Sequence, residues 1–505
     1  MESGSLKVPR NVAVVSVLSG VPSLLGTRSG IGLSWDSTDY IAVGLSMAAG
    51  RGALDVTGEP MVIRPPGVSA FVAFGDLLSI SPDWSLRIVN ALSMMFIVWC
   101  THILLERAEV RTVARWLGIT LVAASPALLD IFTMAWSEPP FLALLLLALV
   151  IVTRERTWPW DLLLAAVFTA LFFMRYVGPF YAAPLALTAA LVQLQQSGVI
   201  ISFLRAGTVL VVSHVVPWLW LMRNVELSGH LTGPRAPGGG WYLDPLKTFT
   251  GTLGGWLVAQ PPIDGSIYLN WNGFTNLMRL AGIGVWVLLI LLLASYCFSS
   301  RRTSGSNAVI GSCVLVFVSY SAFSVYRFVH NELGPLDSRM MSGIFVPLVV
   351  MIIISADRLR PKQPRLLAWL TPRLLGILAI SVVSLHIFTM LNDAAQYGRE
   401  GRYWGTDIHR DVPIHRFAAE LPSDSALFSN EPQSLFAATF RWPIRNQYQA
   451  AEPPLLPCSR NYMVWFNQTY LPDGKPTGAV VVYEDSWGQV LDLGDCGTDL
   501  MRFWP

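Results

Sequence analysis

The sequence predicts a polytopic α-helical membrane protein, a bundle of about eleven transmembrane helices followed by a small C-terminal extracytoplasmic α/β domain. Three observations predict it. Of 505 residues, 53% are hydrophobic and only 13% charged, against roughly 25% charged in an ordinary soluble domain. Apolar runs alternate between short arginine-rich loops and longer, less basic ones, as the positive-inside rule requires. Only the stretch after residue 390 has the polarity of a soluble fold. A net charge of +2 with no basic tail argues against nucleic acid, which leaves the bilayer and molecules at its surface as partners.

The elements follow in order. Lys7 and Arg10 precede the apolar run 12–25, and no small-residue cleavage pattern follows it. It therefore reads as an uncleaved first span with a cytoplasmic N-terminus, which puts the segment 27–87 outside. Within that segment 67–80 is apolar, short and interrupted by Asp76, suiting a helix at the interface. Span 88–105 closes on Arg107, Arg111 and Arg115, the cytoplasmic side. Runs 116–135, 140–153, 162–173, 177–194 and 203–222 alternate across the bilayer, delivering Ser137-Glu138 and Arg175-Tyr176 to the outer face. A Gly- and Trp-rich polar loop of about fifty residues comes next, long enough to suggest a function. Runs 277–298, 308–325, 342–356 and 374–390 complete a bundle within residues 1–390. An odd number of spans leaves 391–505 outside as a soluble domain, with 479–483 (AVVVY) a buried strand and 415–420 part of a helix. Cys458 and Cys496 both lie there, and an oxidising compartment would allow them to pair. The address is the plasma (inner) membrane, crossed many times.

The most informative stretch is 34–67, SWDSTDYIAVGLSMAAGRGALDVTGEPMVIRPPG. Carboxylates beside a membrane are costly to keep without a use, and this stretch holds Asp36, Asp39, Asp55 and Glu59. Asp36 and Tyr40 are four apart at the opening of a small-residue helix, 41–49, that ends in Gly-Arg-Gly. The topology brings further charges to the same side: Arg64, Arg87, Glu138, Arg175, Arg223, Arg235, Arg327, His330, Glu332, Asp337 and Arg339. Arginine grips phosphate through a planar fork of donors, and a carboxylate can take the proton of an attacking hydroxyl. Such a set suits chemistry on an anionic, lipid-linked substrate.

Plainer roles compete for the same residues. Arginines at span ends snorkel to the interface, and Asp36 also suits a helix N-cap. Tyr40, Trp241, Trp256 and Trp271 fit interfacial anchors as well as sugar platforms. His214 and His386, alone in apolar runs, read as hydrogen-bonded core residues. Asn467-Gln468-Thr469 matches a glycosylation triplet that is frequent by chance. The oxygens of Asp36, Asp39 and Glu138 would suit magnesium or manganese, although nothing in the sequence requires a metal or other cofactor. The lack of a Gly-rich phosphate loop argues against a nucleotide-sugar donor and for a lipid-linked one.

SWDSTDY, its small-residue helix, Gly-Arg-Gly and Arg-Pro-Pro-Gly resemble the first outer loop of the GT-C glycosyltransferase superfamily, specifically the bacterial relatives of protein O-mannosyltransferase and lipid A aminoarabinose transferase. Trp84-Ser85-Leu86-Arg87, Ser137-Glu138, Arg175-Tyr176-Val177-Gly178, Pro217-Trp218 with Arg223-Asn224, Arg339 before Pro347, and Ser429-Asn430-Glu431-Pro432 with Arg441 continue the resemblance along the chain. It implies an inverting transfer of a hexosyl or pentosyl unit from a polyprenyl-phosphate donor to a lipid, glycan or protein acceptor. It also implies Asp36 as the base, Glu138 as a second acid that positions the acceptor or a cation, and Arg339, Arg175 and Arg64 as phosphate ligands. Where many relatives have Asp-Glu this chain has Asp36-Ser37, which leaves Asp39 as an alternative base. Tyr40, Arg87, Arg223, Arg327 and His330 complete the candidate substrate-binding set. Two other readings compete. A surface-polysaccharide polymerase or ligase tends to carry its catalytic loop late in the chain, and a secondary transporter would show repeats and mid-membrane charges.

Overall fold

The computed structural model describes residues 9–154, 156–235, 241, 243–259, 272–297, 303–331, 336–358, 365–446, 449, 456–467, 475–496 and 499–503. Trp271, Glu332 and most of the 467–469 triplet lie outside them. Among the described residues five helices are long and apolar enough to cross a bilayer: Pro82–Arg107, Gln196–Ser228, Leu277–Ala294, Ser304–His330 and Ser338–Arg358. The bent pair Thr112–Ala123 and Pro126–Phe132 makes up to six. The chain is a multi-pass membrane protein. Shorter apolar helices, among them Arg10–Gly26, Glu138–Val152, Trp158–Met174 and Gly178–Leu194, stand where further spans were expected.

Several elements differ from the sequence expectation for local reasons. The run 116–135 is broken by 41°, because Pro126 lacks the N–H that would continue the first helix and Ser125 Oγ caps a new one at the Leu128 N–H, 3.2 Å away. The supposed polar loop after residue 222 contains the helix Leu243–Leu257. Its Gly- and Thr-rich sequence conceals one apolar stripe, Phe249, Leu253 and Trp256, at helical spacing and buried. The helix expected at the interface is Gly67–Leu77. It lies so close to the helix Trp35–Ala48 that a Cβ on Gly44 would sit 2.5 Å from Val72 Cβ.

The last long helix, Arg365–Glu400, runs on through residue 391. Beyond it, strands β1 (Ala426–Ser429), β2 (Ile444–Asn446), β3 (Arg460–Phe466), β4 (Val480–Glu484) and β5 (Gly488–Asp495) form one sheet in the order β2-β1-β3-β5-β4. β1 runs parallel to β2 and β3, and the other pairs are antiparallel. The AVVVY run is the strand expected, yet it is not buried: Val480 is 66% exposed. It forms the sheet edge, and a short apolar run cannot by itself distinguish an edge strand from a central one. A Cys458–Cys496 disulfide ties the approach to β3 to the end of β5, with Cα atoms 5.9 Å apart.

This C-terminal part rests on the first loop. Trp404 N–H donates to the Leu33 carbonyl at 3.1 Å and Ile444 N–H to the Val56 carbonyl at 3.0 Å. Trp442 Nε1 donates to the Asp55 carbonyl at 2.7 Å, and Gln449 Nε2 to Glu59 Oε1 at 2.7 Å. Asp55 and Glu59, two of the loop acids, are thus structural. The loop is held between the apolar bundle and the sheet.

Candidate active site

The helix Trp35–Ala48 starts at Ser34, whose Oγ accepts the Trp136 indole N–H at 2.8 Å. Two backbone bonds, Gly32 N–H to the Thr133 carbonyl and Ala135 N–H to the Gly32 carbonyl, both 2.9 Å, clamp the loop to the segment that leads into Glu138. Asp36 therefore sits in the first helical turn rather than at the N-cap, and its side chain is free to make other contacts.

Those contacts are arginines. Asp36 Oδ1 accepts from Arg64 Nε at 2.9 Å and Nη2 at 2.5 Å, while Oδ2 is paired with Arg339. Arg339 Nε also donates to Glu138 Oε1 at 2.9 Å, and Arg175 pairs with the same Glu138 oxygen. Arg64 reaches back to Asp39. The guanidinium of Arg339 lies 4.1 Å over the Trp136 ring. One network thus joins Asp36, Asp39, Glu138, Arg64, Arg175 and Arg339 from five separate stretches of sequence.

The network opens on a cavity of about 580 Å³. Asp36, Tyr40, Arg64, Arg175, Arg327 and Arg339 line it, and Arg235, Tyr320 and Asp337 add to the wall. Burial would raise the Asp36 carboxyl, but Arg64 and Arg339 outweigh it and hold the group well below the usual carboxylate range. Burial pushes Asp39 up to about 7 against the pull of Arg64, and Asp337 up to about 6. Asp39 and Glu138 do not line the cavity; their side chains are 8% and 1% exposed and hold arginines from behind.

Three predicted binding residues stand elsewhere. Arg87 is buried, with Nε bonded to Thr27 Oγ1 at 3.1 Å and its guanidinium 4.0 Å over the Trp84 ring. His330 is exposed and stacks on Tyr326, ring centroids 4.2 Å apart. Arg223 donates to the Met61 carbonyl at 2.7 Å. That last contact belongs to a pattern, because Tyr176 Oη donates to the Val62 carbonyl at 2.9 Å and Arg235 Nη2 to the Ile63 carbonyl at 2.9 Å. Three successive carbonyls are fixed just before Arg64. Trp220 Nε1 and Asn224 Nδ2, each 3.0 Å from Tyr176 Oη, fix the residue beside Arg175. The helix in the polar loop does the same for Arg339: Trp256 Nε1 donates to Ser338 Oγ and Thr252 Oγ1 to the Leu336 carbonyl, both at 2.8 Å. Trp256 is accordingly buried, while Trp241 is exposed.

Sequence reasoning missed Tyr320 and Ser324 of the cavity wall. Their signal was present: Tyr320, Ser324 and Arg327 recur every three to four residues along one face of an apolar helix.

No described protein family and no curated protein matches the sequence. Solved structures do match the fold. ArnT from Cupriavidus metallidurans bound to undecaprenyl phosphate superposes with a TM-score of 0.61 at 13% identity, over 96% of this chain and 98% of that one. Its apo state gives 0.60. The chain has the fold of ArnT. The mycobacterial arabinofuranosyltransferase AftD, as its mutant R1389S class 2 structure, shares it at a TM-score of 0.52 and 14% identity, over 97% of this chain but 42% of AftD. The resemblance read from the first loop thus extends to the architecture. Among the described residues no group of three or more His, Cys, Asp or Glu gathers as a metal site would. Asp36, Asp39 and Glu138 engage guanidiniums.

Proposed function

We propose that this chain is a membrane glycosyltransferase that moves one sugar from a polyprenyl-phosphate donor to a lipid, glycan or protein acceptor at the extracytoplasmic face, with inversion. The observation that carries the reading is Asp36, a carboxylate gripped by Arg64 and Arg339 on the wall of a cavity that also presents Arg175, Arg235 and Arg327. Two acids, Asp36 and Asp337, against five arginines suit a site that must hold a phosphate and accept a proton. The ArnT structure with undecaprenyl phosphate supports the choice of donor, and the apolar helices around the cavity would receive the prenyl chain. In this reading the N-terminus is cytoplasmic, about eleven spans cross the bilayer, and residues 391–505 lie outside.

The grip on Asp36 has a chemical consequence. A carboxylate held so far below its usual range is a poor base. A phosphate entering the cavity competes for Arg64 and Arg339, and as they turn to it Asp36 recovers its basicity. The donor thereby switches on the base. The acceptor oxygen then attacks the anomeric carbon as its proton passes to Asp36. The bond from that carbon to the phosphate oxygen breaks, and its electron pair leaves with the polyprenyl phosphate. Arginines meet the charge on the leaving group, so this step requires neither a general acid nor a metal. Asp39, pushed up by burial and set behind Arg64, positions that arginine, and Glu138 does so for Arg175 and Arg339.

The test is transfer of radiolabelled sugar from a panel of polyprenyl-phosphate sugars in membranes holding wild type or Asp36→Asn at matched folded abundance. Transfer by the wild type with a loss of about a thousandfold or more in the variant is expected. Undiminished transfer by Asp36→Asn would remove Asp36 as base, and no transfer by the wild type from any donor would remove the reading.

A further inference from the structure

Consecutive residues of a helix point about 100° apart, so the turn that aims Asp36 into the arginine cavity aims Trp35 elsewhere. Trp35 lines a second cavity, of about 620 Å³, between the first loop and the C-terminal part. Its wall is aromatic. Trp35 and Trp404 pair with centroids 5.8 Å apart, Trp404 stacks on His409 at 5.9 Å, and Trp487 stands half exposed on the same wall.

Polar groups are set into this wall. His415 is 3% exposed, and its Nδ1 lies 2.7 Å from the His409 carbonyl oxygen. A carbonyl can only accept, so Nδ1 carries the proton and Nε2 presents a lone pair. That Nε2 is buried and has no partner among the described residues. An unpaired buried acceptor is costly, and a ligand hydroxyl would satisfy it. Glu431 lines the same cavity.

A sugar ring has one face of C–H bonds and a rim of hydroxyl donors. Aromatic faces bearing hydrogen-bond acceptors complement it on both counts. We infer that the cavity between the first loop and the sheet binds a glycosyl unit of the acceptor, with Trp35, Trp404 and Trp487 as platforms and His415 Nε2 and Glu431 as hydroxyl acceptors. The inference rests on the reading of the chain as a glycosyltransferase. It makes the acceptor a glycan-bearing molecule, held against the helix turn whose next residue is Asp36.

The full chain in detergent, mixed with methyl glycosides of common hexoses and pentoses, tests this by saturation-transfer NMR. At least one glycoside should take up saturation. Trp35 and Trp487 are 45% and 50% exposed, so Trp35→Ala and Trp487→Ala leave the packing in place, and each should weaken binding roughly threefold or more. No saturation of any glycoside, or full binding by both tryptophan variants, overturns the inference. Transfer that depends on Asp36 without glycoside binding defeats this site alone. Glycoside binding beside transfer indifferent to Asp36 defeats the catalytic reading alone.

Discussion

The cavity and the start of the helix Trp158–Met174 each hold a carboxylate between two arginines. Asp36 is gripped by Arg64 and Arg339, and Asp161 by Arg156, 2.9 Å away, and Arg205, whose Nε is 2.7 Å away. The composition is the same and the surroundings are not. Around Asp161 further donors go to the protein itself, Arg156 Nη2 to the Ala189 carbonyl at 3.0 Å and Arg205 Nη2 to the Arg156 carbonyl at 3.1 Å. That cluster ties the helix Trp158–Met174 to its neighbours. Around Asp36 the carboxylate and both arginines also face an open cavity. A buried ion cluster is therefore no sign of chemistry by itself. What separates the two is whether charge is left to face a ligand.

The sharpest way to break this comparison is to remove one member from each cluster. Arg339→Ala should lower transfer by about a hundredfold to a thousandfold while the protein still folds, and a fall of less than tenfold would mean that Arg339 does not face the leaving phosphate. Asp161→Asn should do the reverse. Leaving buried Arg156 and half-buried Arg205 without their carboxylate costs on the order of 3 kcal/mol, seen as a lower unfolding midpoint, with transfer per folded molecule retained. Loss of transfer without loss of stability would show that the closed cluster also serves the reaction.

A smaller effect sharpens the picture of the shell behind the site. Asp39, ordinarily near 3.8, is raised to about 7. The folded protein keeps its proton between those values, so its contribution to stability is full at low pH and is lost as pH rises through about 7. His409, ordinarily near 6.5, is lowered to about 4 by burial and by His415. Its contribution is full above 6.5 and is lost as pH falls towards about 4. The two oppose each other across the same window. Asp39→Asn should therefore make the unfolding midpoint fall more steeply on going from about pH 7 to about pH 5, and His409→Gln should make it fall less. Curves parallel to the wild type in both variants would contradict these shifts.

Much of this was legible in the sequence, because residues that are costly in a membrane announce themselves. Asp36, Arg64, Glu138, Arg175 and Arg339 could be placed on one side by counting apolar runs, and the structure brings all five into one network. Charge alone could not say what each arginine faces. Arg223 and Arg87 carry the same signal as Arg339, yet one ends on a backbone carbonyl and the other on Thr27 and Trp84. That distinction depends on the register between distant segments. The helix Leu243–Leu257 was hidden because glycines and threonines dilute its apolar stripe. The second cavity was hidden because its tryptophans and histidines come from segments that meet only when the sheet docks on the first loop.

The central claim is that Asp36 and the donor phosphate compete for the same arginines. It is tested most directly by the affinity of the full-length protein for undecaprenyl phosphate in wild type and Asp36→Asn, measured beside transfer. The account predicts that the variant binds undecaprenyl phosphate about tenfold more tightly, a gain of about 1.4 kcal/mol, while transfer collapses. Equal or weaker binding by the variant would contradict it, because the arginines would then not be shared between Asp36 and the phosphate.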